Sequence, residues 1–210
     1  MASPFYKILP APVLNEDQLM SLRQITDKER PEIKNFGRRT YWDENFLYHQ
    51  GKFYHQTKSP YKSAIDTVSQ IFLKCLSDSG VDINKSTIAL GAYLDRNVVN
   101  VSNAATSDLF WHRDSINVDE QSKDADYSLV LLLSPVTWKG ADIILQMGGS
   151  YDKEEGVWIN SDSPKIPIKH AHNQAIVFHN RDSAHYVTAV ELLNEETVHR
   201  DIFILTCFFK

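Results

Sequence analysis

Four residues in the second half of the chain have types and positions that could do metal chemistry together: His112, Asp114, His185 and Arg200. His112 and Asp114 are two residues apart in the run FWHRDS, so on an extended segment their side chains project to the same side. An imidazole and a carboxylate placed in this way can hold one ion. Because His-x-Asp is a common pair, the prediction depends on the two downstream residues.

His185 begins a predicted strand after a turn, and Arg200 begins the next strand with its side chain on the inward face. Two imidazoles and one carboxylate on one face of an octahedron leave three coordination positions open, which is the arrangement of non-haem Fe(II) oxygenases. A buried guanidinium must pair with an anion. A dicarboxylic acid cosubstrate would supply that anion, and so would a structural Asp or Glu.

The first eighty residues are predicted to be mainly helical. Asn15 is a suitable N-cap for a helix that Pro31 ends, and a second helix is predicted from the cap Ser59 to the terminator Gly80. Residues 36–56, between the two helices, are rich in aromatic side chains and show no clear period. They are predicted to form an irregular loop lying over a site.

From residue 87 the pattern changes to short segments that are rich in β-branched and aromatic residues and separated by turn formers. Eight segments are predicted to be strands: TIALGAYL, DYSLVLLLS, ADIILQM, GVWI, KIPIKH, QAIVFH, HYVTAV and RDIFILTCFF. The predicted fold is mainly β with N-terminal helices, a jelly-roll (double-stranded β-helix, cupin-like) barrel with the helices on one sheet. In the last strand, Arg200, Ile202 and Thr206 share one face, and Phe203 and Leu205 share the other. We therefore expect the barrel interior on one side of this strand and the helices on the other.

Composition limits the class of protein and its partners. The 210 residues are 42% hydrophobic, and 22 Lys and Arg against 27 Asp and Glu give a formal net charge of −5. This predicts one domain over residues 1–210, with a helical support and loop region at 1–86 and a jelly-roll catalytic core at 87–210. No run of basic residues predicts a nucleic-acid or anionic-membrane partner. Without a signal-peptide pattern or an apolar run of about 20 residues, the expected location is the cytoplasm, with export by a route that leaves no such signal as the alternative.

The order of these segments resembles that of the 2-oxoglutarate- and Fe(II)-dependent dioxygenases, particularly their prolyl-hydroxylase-like branch. The similarity covers roughly residues 88–209. IALGAYL resembles the strand that enters the site, WHRD the His-x-Asp element, and DYSLVLLLSP with WKGADIIL the strand pair that follows. QAIVFHNRDSAHYVTAV is similar to the segment with the distal histidine, and RDIFIL to the strand with the basic residue that holds the cosubstrate.

The resemblance implies a role for each candidate residue. His112, Asp114 and His185 would be the iron ligands, Arg200 would hold the distal carboxylate of 2-oxoglutarate, and Tyr93 would donate a hydroxyl hydrogen bond to the cosubstrate. The implied cofactors are Fe(II), the cosubstrate 2-oxoglutarate and O2.

Three positions depart from the family pattern. Ile202 stands where many members carry a hydroxyl residue that assists the arginine, so that role is expected to shift to Tyr93 or Thr206. The interval from His185 to the arginine is longer than usual, and LLNEETV is predicted to form a wider hairpin turn. Asn173 stands where a glycine is common, in a turn that tolerates Asn.

The implied activity is hydroxylation of a peptide or protein residue, or of a small amino-acid-like metabolite, with succinate and CO2 as co-products. Asp114 favours hydroxylation, because family members that halogenate replace this carboxylate. Two other readings of the residues stay open. One is a cupin-like barrel that binds a metal or a small acid without oxidative turnover, and the other is a structural or interaction domain with a decayed site.

The substrate walls are predicted to be loops, because loops that flank a rigid barrel usually carry specificity. Residues 36–56 and 95–110 are the expected walls and lid. Their aromatic and basic residues could receive an acidic or peptide-like substrate: Arg38, Arg39, Tyr41, Trp42 and Arg96.

Overall fold

Helix α1 (Glu16–Lys28) begins directly after its predicted N-cap Asn15, and helix α2 (Tyr61–Asp78) ends just before its predicted terminator Gly80. The structure is a computed structural model that describes residues 5–28, 37–57, 61–84, 87–106, 109–118, 120–152, 157–159 and 161–210. At the start of α1, Asn15 Oδ1 accepts a hydrogen bond from the Gln18 amide at 2.9 Å. The Gln18 side chain accepts the Asn15 amide in return, which completes a capping box. Gly80 follows the last turn of α2, and its positive φ of 88° is a conformation that suits glycine. The predicted helix signals Pro31, Ser59 and Pro60 lie outside the described residues.

The described residues include a short 3-10 turn (Ala104–Thr106) and seventeen strands. The strands are β1 (Tyr6–Ile8), β2 (Gly37–His49), β3 (Lys52–Tyr54), β4 (Ile88–Val99), β5 (Leu109–His112), β6 (Ser115–Val118), β7 (Gln121–Asp124), β8 (Tyr127–Leu132), β9 (Trp138–Gly140), β10 (Ile143–Met147), β11 (Ser150–Asp152), β12 (Val157–Ile159), β13 (Lys165–Ile168), β14 (Ala175–His179), β15 (Ser183–Val187), β16 (Val190–Leu192) and β17 (Val198–Phe209). All eight predicted strands are present. Neither helix is both long and apolar enough to cross a bilayer, as far as the described residues go.

Two antiparallel sheets face each other and form a double-stranded β-helix. The main sheet has seven strands in the order β1-β14-β8-β17-β4-β2-β3, and the smaller sheet has four in the order β13-β10-β15-β5. Each central strand of the main sheet is apolar on both faces, because one face meets the helices and the other meets the smaller sheet. The predicted fold is confirmed.

Strand β17 shows how the two layers share one sheet. Phe203, Leu205 and Cys207 belong to the core that includes α1 and α2. Ile202 and Ile204 belong to a second core, between the two sheets. The predicted alternation along this strand is confirmed, and the inward face of β17 also carries Arg200.

The prediction of an irregular loop over residues 36–56 is wrong for its described part. Residues 37–54 form the hairpin β2-β3, and β2 pairs with β4 over nearly its whole length. Aromatic residues at even-numbered positions share one face of this strand: Trp42 stacks on Phe203 on the helix side, with ring centroids 6.4 Å apart, and Phe46 is buried there too. The period was obscured by a bulge between Thr40 and Trp42.

Asn173 does more than tolerate a turn. Its φ is 52°, and its buried side chain accepts the amide of Leu14 at 2.9 Å and donates to the Leu14 carbonyl at 2.7 Å. These bonds connect the segment before α1 to the turn before β14. A glycine would supply the backbone conformation but not this connection.

Arg96 is a structural residue, neither a substrate contact, as the sequence allowed, nor a solvated surface residue. It lies on the helix side of β4, where it is 3% exposed, and makes a bidentate pair with Asp201 of β17 at 2.6 and 2.8 Å. The same guanidinium bonds to the Thr26 carbonyl and to Asp27 of α1. Burial acts to lower the pKa of Arg96, but the hydrogen bonds and charge of Asp201 outweigh it and raise the pKa, so the guanidinium stays charged.

Candidate metal centre and its two pockets

The two candidate histidines face each other across neighbouring strands. His112 ends β5, His185 lies in β15, and the two are directly paired in the antiparallel register. Residues paired in this way project to the same face of a sheet. Their ring centroids are 4.1 Å apart, and the ring of Phe178 packs edge-on against His185 at 4.9 Å.

Asp114 follows β5 and is positioned through its backbone. The fully buried side chain of Asn180 accepts the Asp114 amide at 2.8 Å and donates to the Asp114 carbonyl at 2.9 Å. It also donates to the carbonyl of Ala125. Asn180 therefore fixes the turn that aims the Asp114 carboxylate toward the two imidazoles.

The three side chains form the one group of potential metal ligands found within the described part of the chain, with ligand atoms within 4.8 Å of one another. Asp114 Oδ1 is 3.9 Å from Nε2 of His112 and 3.8 Å from Nε2 of His185. Both separations exceed a hydrogen bond. Two donors that each lie about 2.1 Å from a shared ion are at most about 4.2 Å apart, so these separations are compatible with one ion.

The donor set also fits the expected metal. Imidazole nitrogens and a carboxylate oxygen suit divalent iron, and three protein ligands leave coordination positions for other molecules. The structure thus brings His112, Asp114 and His185 together as predicted, and their role as ligands stays a prediction that this geometry supports.

Arg200 lies in a narrow inner pocket beside the three residues. The pocket measures about 20 Å³ and is lined by the three metal-ligand candidates, Arg200 and five aliphatic side chains: Val130, Ile143, Val187, Ile202 and Ile204. Arg200 is 2% exposed. A cationic fork in this apolar setting suits a ligand carboxylate.

His170 was not singled out by the sequence, yet it interacts with the Arg200 end of the barrel. Its Nε2 donates to the carbonyl of Gln174 at 2.8 Å, which fixes the tautomer. Burial, together with the charge of Arg200, lowers the pKa of His170 to about 3. This imidazole is therefore neutral at physiological pH and adds no second positive charge beside the guanidinium.

A larger outer pocket of about 320 Å³ lies on the other side of His112 and Asp114. Its remaining lining is mainly polar: Thr40, Tyr93, Asp95, Arg113, Ser115, Asn117, Ile204 and Thr206. Strands β2, β4, β5, β6 and β17 all contribute to it. This pocket has the size for a small molecule or for one side chain of a larger one.

Tyr93 and Thr206 belong to the outer pocket. A Cβ built on Gly91 would lie 2.9 Å from Thr206 Oγ1 and 3.0 Å from both the Tyr93 hydroxyl and Asn45 Oδ1. Any side chain at position 91 would therefore clash with these three groups, so glycine is required there. Burial is the main cause that raises the pKa of Tyr93, and the charges of Asp114 and Asp43 add to it.

The sequence allowed Thr206 to assist Arg200 in binding the cosubstrate, but the positions of the two residues exclude this role. The two residues are on the same face of β17 but six positions apart, which is about 20 Å along a strand. A five-carbon diacid does not span that distance. The Tyr93 hydroxyl also lies toward Gly91, whereas Arg200 pairs with Asn97 at the opposite end of β4. The structure thus places the predicted cosubstrate-binding residues in two pockets.

The predicted substrate walls are only partly loops. Residues 95–99 belong to β4, and Trp42 faces the helices. Thr40 does line the outer pocket. The side chains of Arg38, Arg39 and Tyr41 lie outside the described part of the structure.

Asn180 and Asp95 are residues of the site that the sequence reasoning missed, and Asn45 lies near the outer pocket without lining it. Asn180 is in the quoted segment HNRDSAH, and its polar type in a turn before a buried strand was a usable signal. Asn45 was hidden in the stretch taken for a loop. Asp95, 2% exposed, follows the inward alternation of Gly91 and Tyr93, but the boundary predicted at residue 94 left it outside the strand.

No protein-family model and no curated protein sequence matches this chain. Solved structures match it in fold. A Bacillus thuringiensis structure described as IDO has a TM-score of 0.62 at 13% identity, over 98% of this chain and 90% of that one. The Fe(II)/α-ketoglutarate-dependent dioxygenase TqaL has a TM-score of 0.60 at 12% identity, over 92% and 74%. A prolyl-4-hydroxylase from Pseudomonas putida has a TM-score of 0.52 at 12% identity, over 99% and 94%.

Similarity at these identities concerns the backbone, and it extends over almost the whole of this chain. It includes both helices and both sheets, rather than the barrel alone. The chain has the double-stranded β-helix fold of the 2-oxoglutarate- and Fe(II)-dependent oxygenases and prolyl hydroxylases, the fold that its resemblance to this superfamily predicted.

Proposed function

We propose that this protein is an Fe(II)- and 2-oxoglutarate-dependent dioxygenase that hydroxylates a small amino-acid-like metabolite or a peptide or protein residue. The co-products are succinate and CO2. The observation that carries this proposal is the convergence of His112, Asp114 and His185 within 4.8 Å at a barrel pocket that also buries Arg200.

Each residue of this group has a defined task. His112, Asp114 and His185 would hold Fe(II), which when bound supplies O2 activation coupled to oxidative decarboxylation of 2-oxoglutarate. Arg200 binds the distal carboxylate of 2-oxoglutarate through charge-assisted hydrogen bonds. The aliphatic residues around Arg200 exclude water, which strengthens that pairing. Asn180 keeps the Asp114 carboxylate oriented.

The test is a pair of measurements on the purified chain. Fe(II) and 2-oxoglutarate added without oxygen should give the weak visible charge-transfer band that requires both at one iron. Admission of air should then release succinate. His185→Ala should lose the band and the succinate, and His172→Ala, a change at an exposed histidine away from the site, should keep both.

A barrel that binds metal or a small acid without turnover gives a different result. It would bind Fe(II) or 2-oxoglutarate by calorimetry but release no succinate with any substrate in a screen of metabolites and peptides. That outcome would contradict the proposed activity. The cytoplasmic location and the absence of nucleic-acid and membrane partners stay predictions from the sequence.

A further inference from the structure

Three of the described residues line both pockets: His112, Asp114 and Ile204. The first two are metal-ligand candidates, and a metal that serves both a cosubstrate and a substrate has to face both pockets. Ile204 has no atom that could bind a metal. Its place between the pockets therefore needs another explanation.

Ile204 lies at the boundary between the pockets in the direction across the main sheet. Its partner in β8 is Val130, which lines only the inner pocket, and its partner in β4 is Tyr93, which lines only the outer pocket. Residues paired in this way project to the same face of a sheet. The three side chains therefore form a row that leads from one pocket to the other, with Ile204 in the middle.

The boundary is the same in the direction along β17. Ile202 and Thr206 are the neighbours of Ile204 on the barrel face, each about 6.7 Å away along the strand. Ile202 lines only the inner pocket, together with Arg200, and Thr206 lines only the outer pocket. The Ile204 side chain is therefore part of the wall that separates the two pockets.

The two sides of this wall differ in chemistry and in space. Apart from Arg200 and the metal-ligand candidates, the inner lining is aliphatic, whereas every described residue of the outer lining other than Ile204 carries a polar side-chain atom. The inner pocket measures about 20 Å³ and the outer pocket about 320 Å³. Because one water molecule needs roughly 10–15 Å³ of such space, a carbon chain in the inner pocket contacts its walls. Ile204, 5% exposed, is the aliphatic wall with a larger space behind it.

Resting on the proposed function, we propose that Ile204 is a specificity-determining residue: its side chain closes the inner pocket toward the outer pocket and so limits the cosubstrate to a five-carbon 2-oxo diacid. Arg200 holds one end of the diacid and the metal ligands lie toward the other end, so an additional methylene group has to bend sideways. The Ile204 side chain occupies space into which the longer chain would bend. A smaller side chain at this position connects the two pockets and admits that chain.

The test compares 2-oxoglutarate with 2-oxoadipate, which has the same end groups and one more methylene group. Each diacid is titrated by calorimetry into protein saturated with Zn(II), which accepts the same donor types as Fe(II) but supports no oxidation. The unmodified protein should prefer 2-oxoglutarate by about tenfold or more, the usual effect of one methylene group in an apolar pocket.

Two alanine variants locate this preference. Ile204→Ala should reduce it to about threefold or less, because the additional methylene group gains space. Ile176→Ala is the matched control, since Ile176 is fully buried in the same core between the sheets but lines neither pocket. It should lose similar packing and keep the preference. Circular dichroism checks the fold of each variant, and if Ile204→Ala does not fold, the milder Ile204→Val should shift the preference in the same direction by about twofold.

A preference that is unchanged in the folded Ile204 variant, or that falls equally in Ile176→Ala, would overturn this inference. Equal binding of the two diacids by the unmodified protein would overturn it as well. Failure of the unmodified, Zn(II)-loaded protein to bind 2-oxoglutarate would instead overturn the proposed function. Because 2-oxoglutarate binding is measured separately from the preference, the two failures are distinguishable.

Discussion

The two faces of the main sheet each bury an arginine, and the two arginines have opposite surroundings. Arg96, on the helix face, is bonded to Asp201, Thr26 and Asp27. Arg200, on the barrel face, lines the inner pocket together with aliphatic side chains and with His112, Asp114 and His185. Their strands are adjacent, so the direction of the side chain alone decides whether the guanidinium connects structural elements or faces a ligand pocket.

This comparison shows what a buried charge is used for. The ion pair of Arg96 connects two strands to α1, and breaking it leaves an unpaired charge in the interior. The charge of Arg200 lies where a small anion can reach it beside a metal centre. Substitutions on the barrel face should therefore reduce activity, and substitutions on the helix face should reduce stability.

The largest effect is expected at the metal centre. His112→Ala, Asp114→Ala and His185→Ala should each abolish Fe(II)-dependent succinate release while circular dichroism stays near that of the unmodified protein, because a chain of this size buries enough surface to fold without metal. Full activity in any one of the three would remove that residue from the ligand set.

Arg96→Ala tests the structural face. It should lower the free energy of unfolding by about 3–5 kcal/mol, because Asp201 would be left buried and unpaired. Urea denaturation measures this loss. A loss below about 1 kcal/mol would mean that the pair contributes little, and Arg96 and Arg200 would no longer differ in this way.

Arg200→Ala tests the barrel face. The dissociation constant for 2-oxoglutarate should rise about 100-fold or more, because a charge-assisted bidentate contact in a buried site is lost. Calorimetry with Fe(II) or Zn(II) bound measures the change, and metal affinity should be retained. An unchanged affinity for 2-oxoglutarate would remove Arg200 from the site.

Tyr93→Phe separates the two pockets more finely. If the phenol bonds to the cosubstrate, as the sequence predicted, 2-oxoglutarate binding weakens by about 1 kcal/mol. The location of Tyr93 in the outer pocket, apart from Arg200, predicts instead that the affinity for 2-oxoglutarate is unchanged. The calorimetric titration used for Arg200→Ala decides between these outcomes.

The smallest effect is expected far from both arginines, on α2. Burial acts to raise the pKa of Asp66, but hydrogen bonds from Lys62 and His55 outweigh it and hold the pKa below its ordinary value of 3.8. A lowered folded-state pKa stabilises the protein above the unfolded value, and this contribution is lost as pH falls through the folded value. Asp66→Asn should thus cost about 0.5 kcal/mol near pH 7. In thermal melts the difference from the unmodified protein should shrink below about pH 4.

Local chemistry explains why much of the fold was predictable. Asn15 begins α1 through its side-chain hydrogen bond, and Gly80 terminates α2 through its backbone freedom. Both signals are therefore readable without the rest of the chain. The apolar strands of the barrel are equally clear, because they are buried on both faces. The hairpin β2-β3 was missed because a bulge breaks the alternation of its aromatic residues and only pairing with β4 makes it a strand.

The sequence by itself determined the types and order of the metal-centre residues, because His-x-Asp, the distal histidine and the arginine lie on short segments of readable period. Only the tertiary structure decided how these residues divide between pockets. The register between β4 and β17 places Arg200 beside Asn97 and Thr206 beside Gly91, and puts Arg96 on the opposite face with Asp201. Such neighbours depend on hydrogen-bonded pairing between strands about a hundred residues apart in the chain, and no local spacing encodes that register.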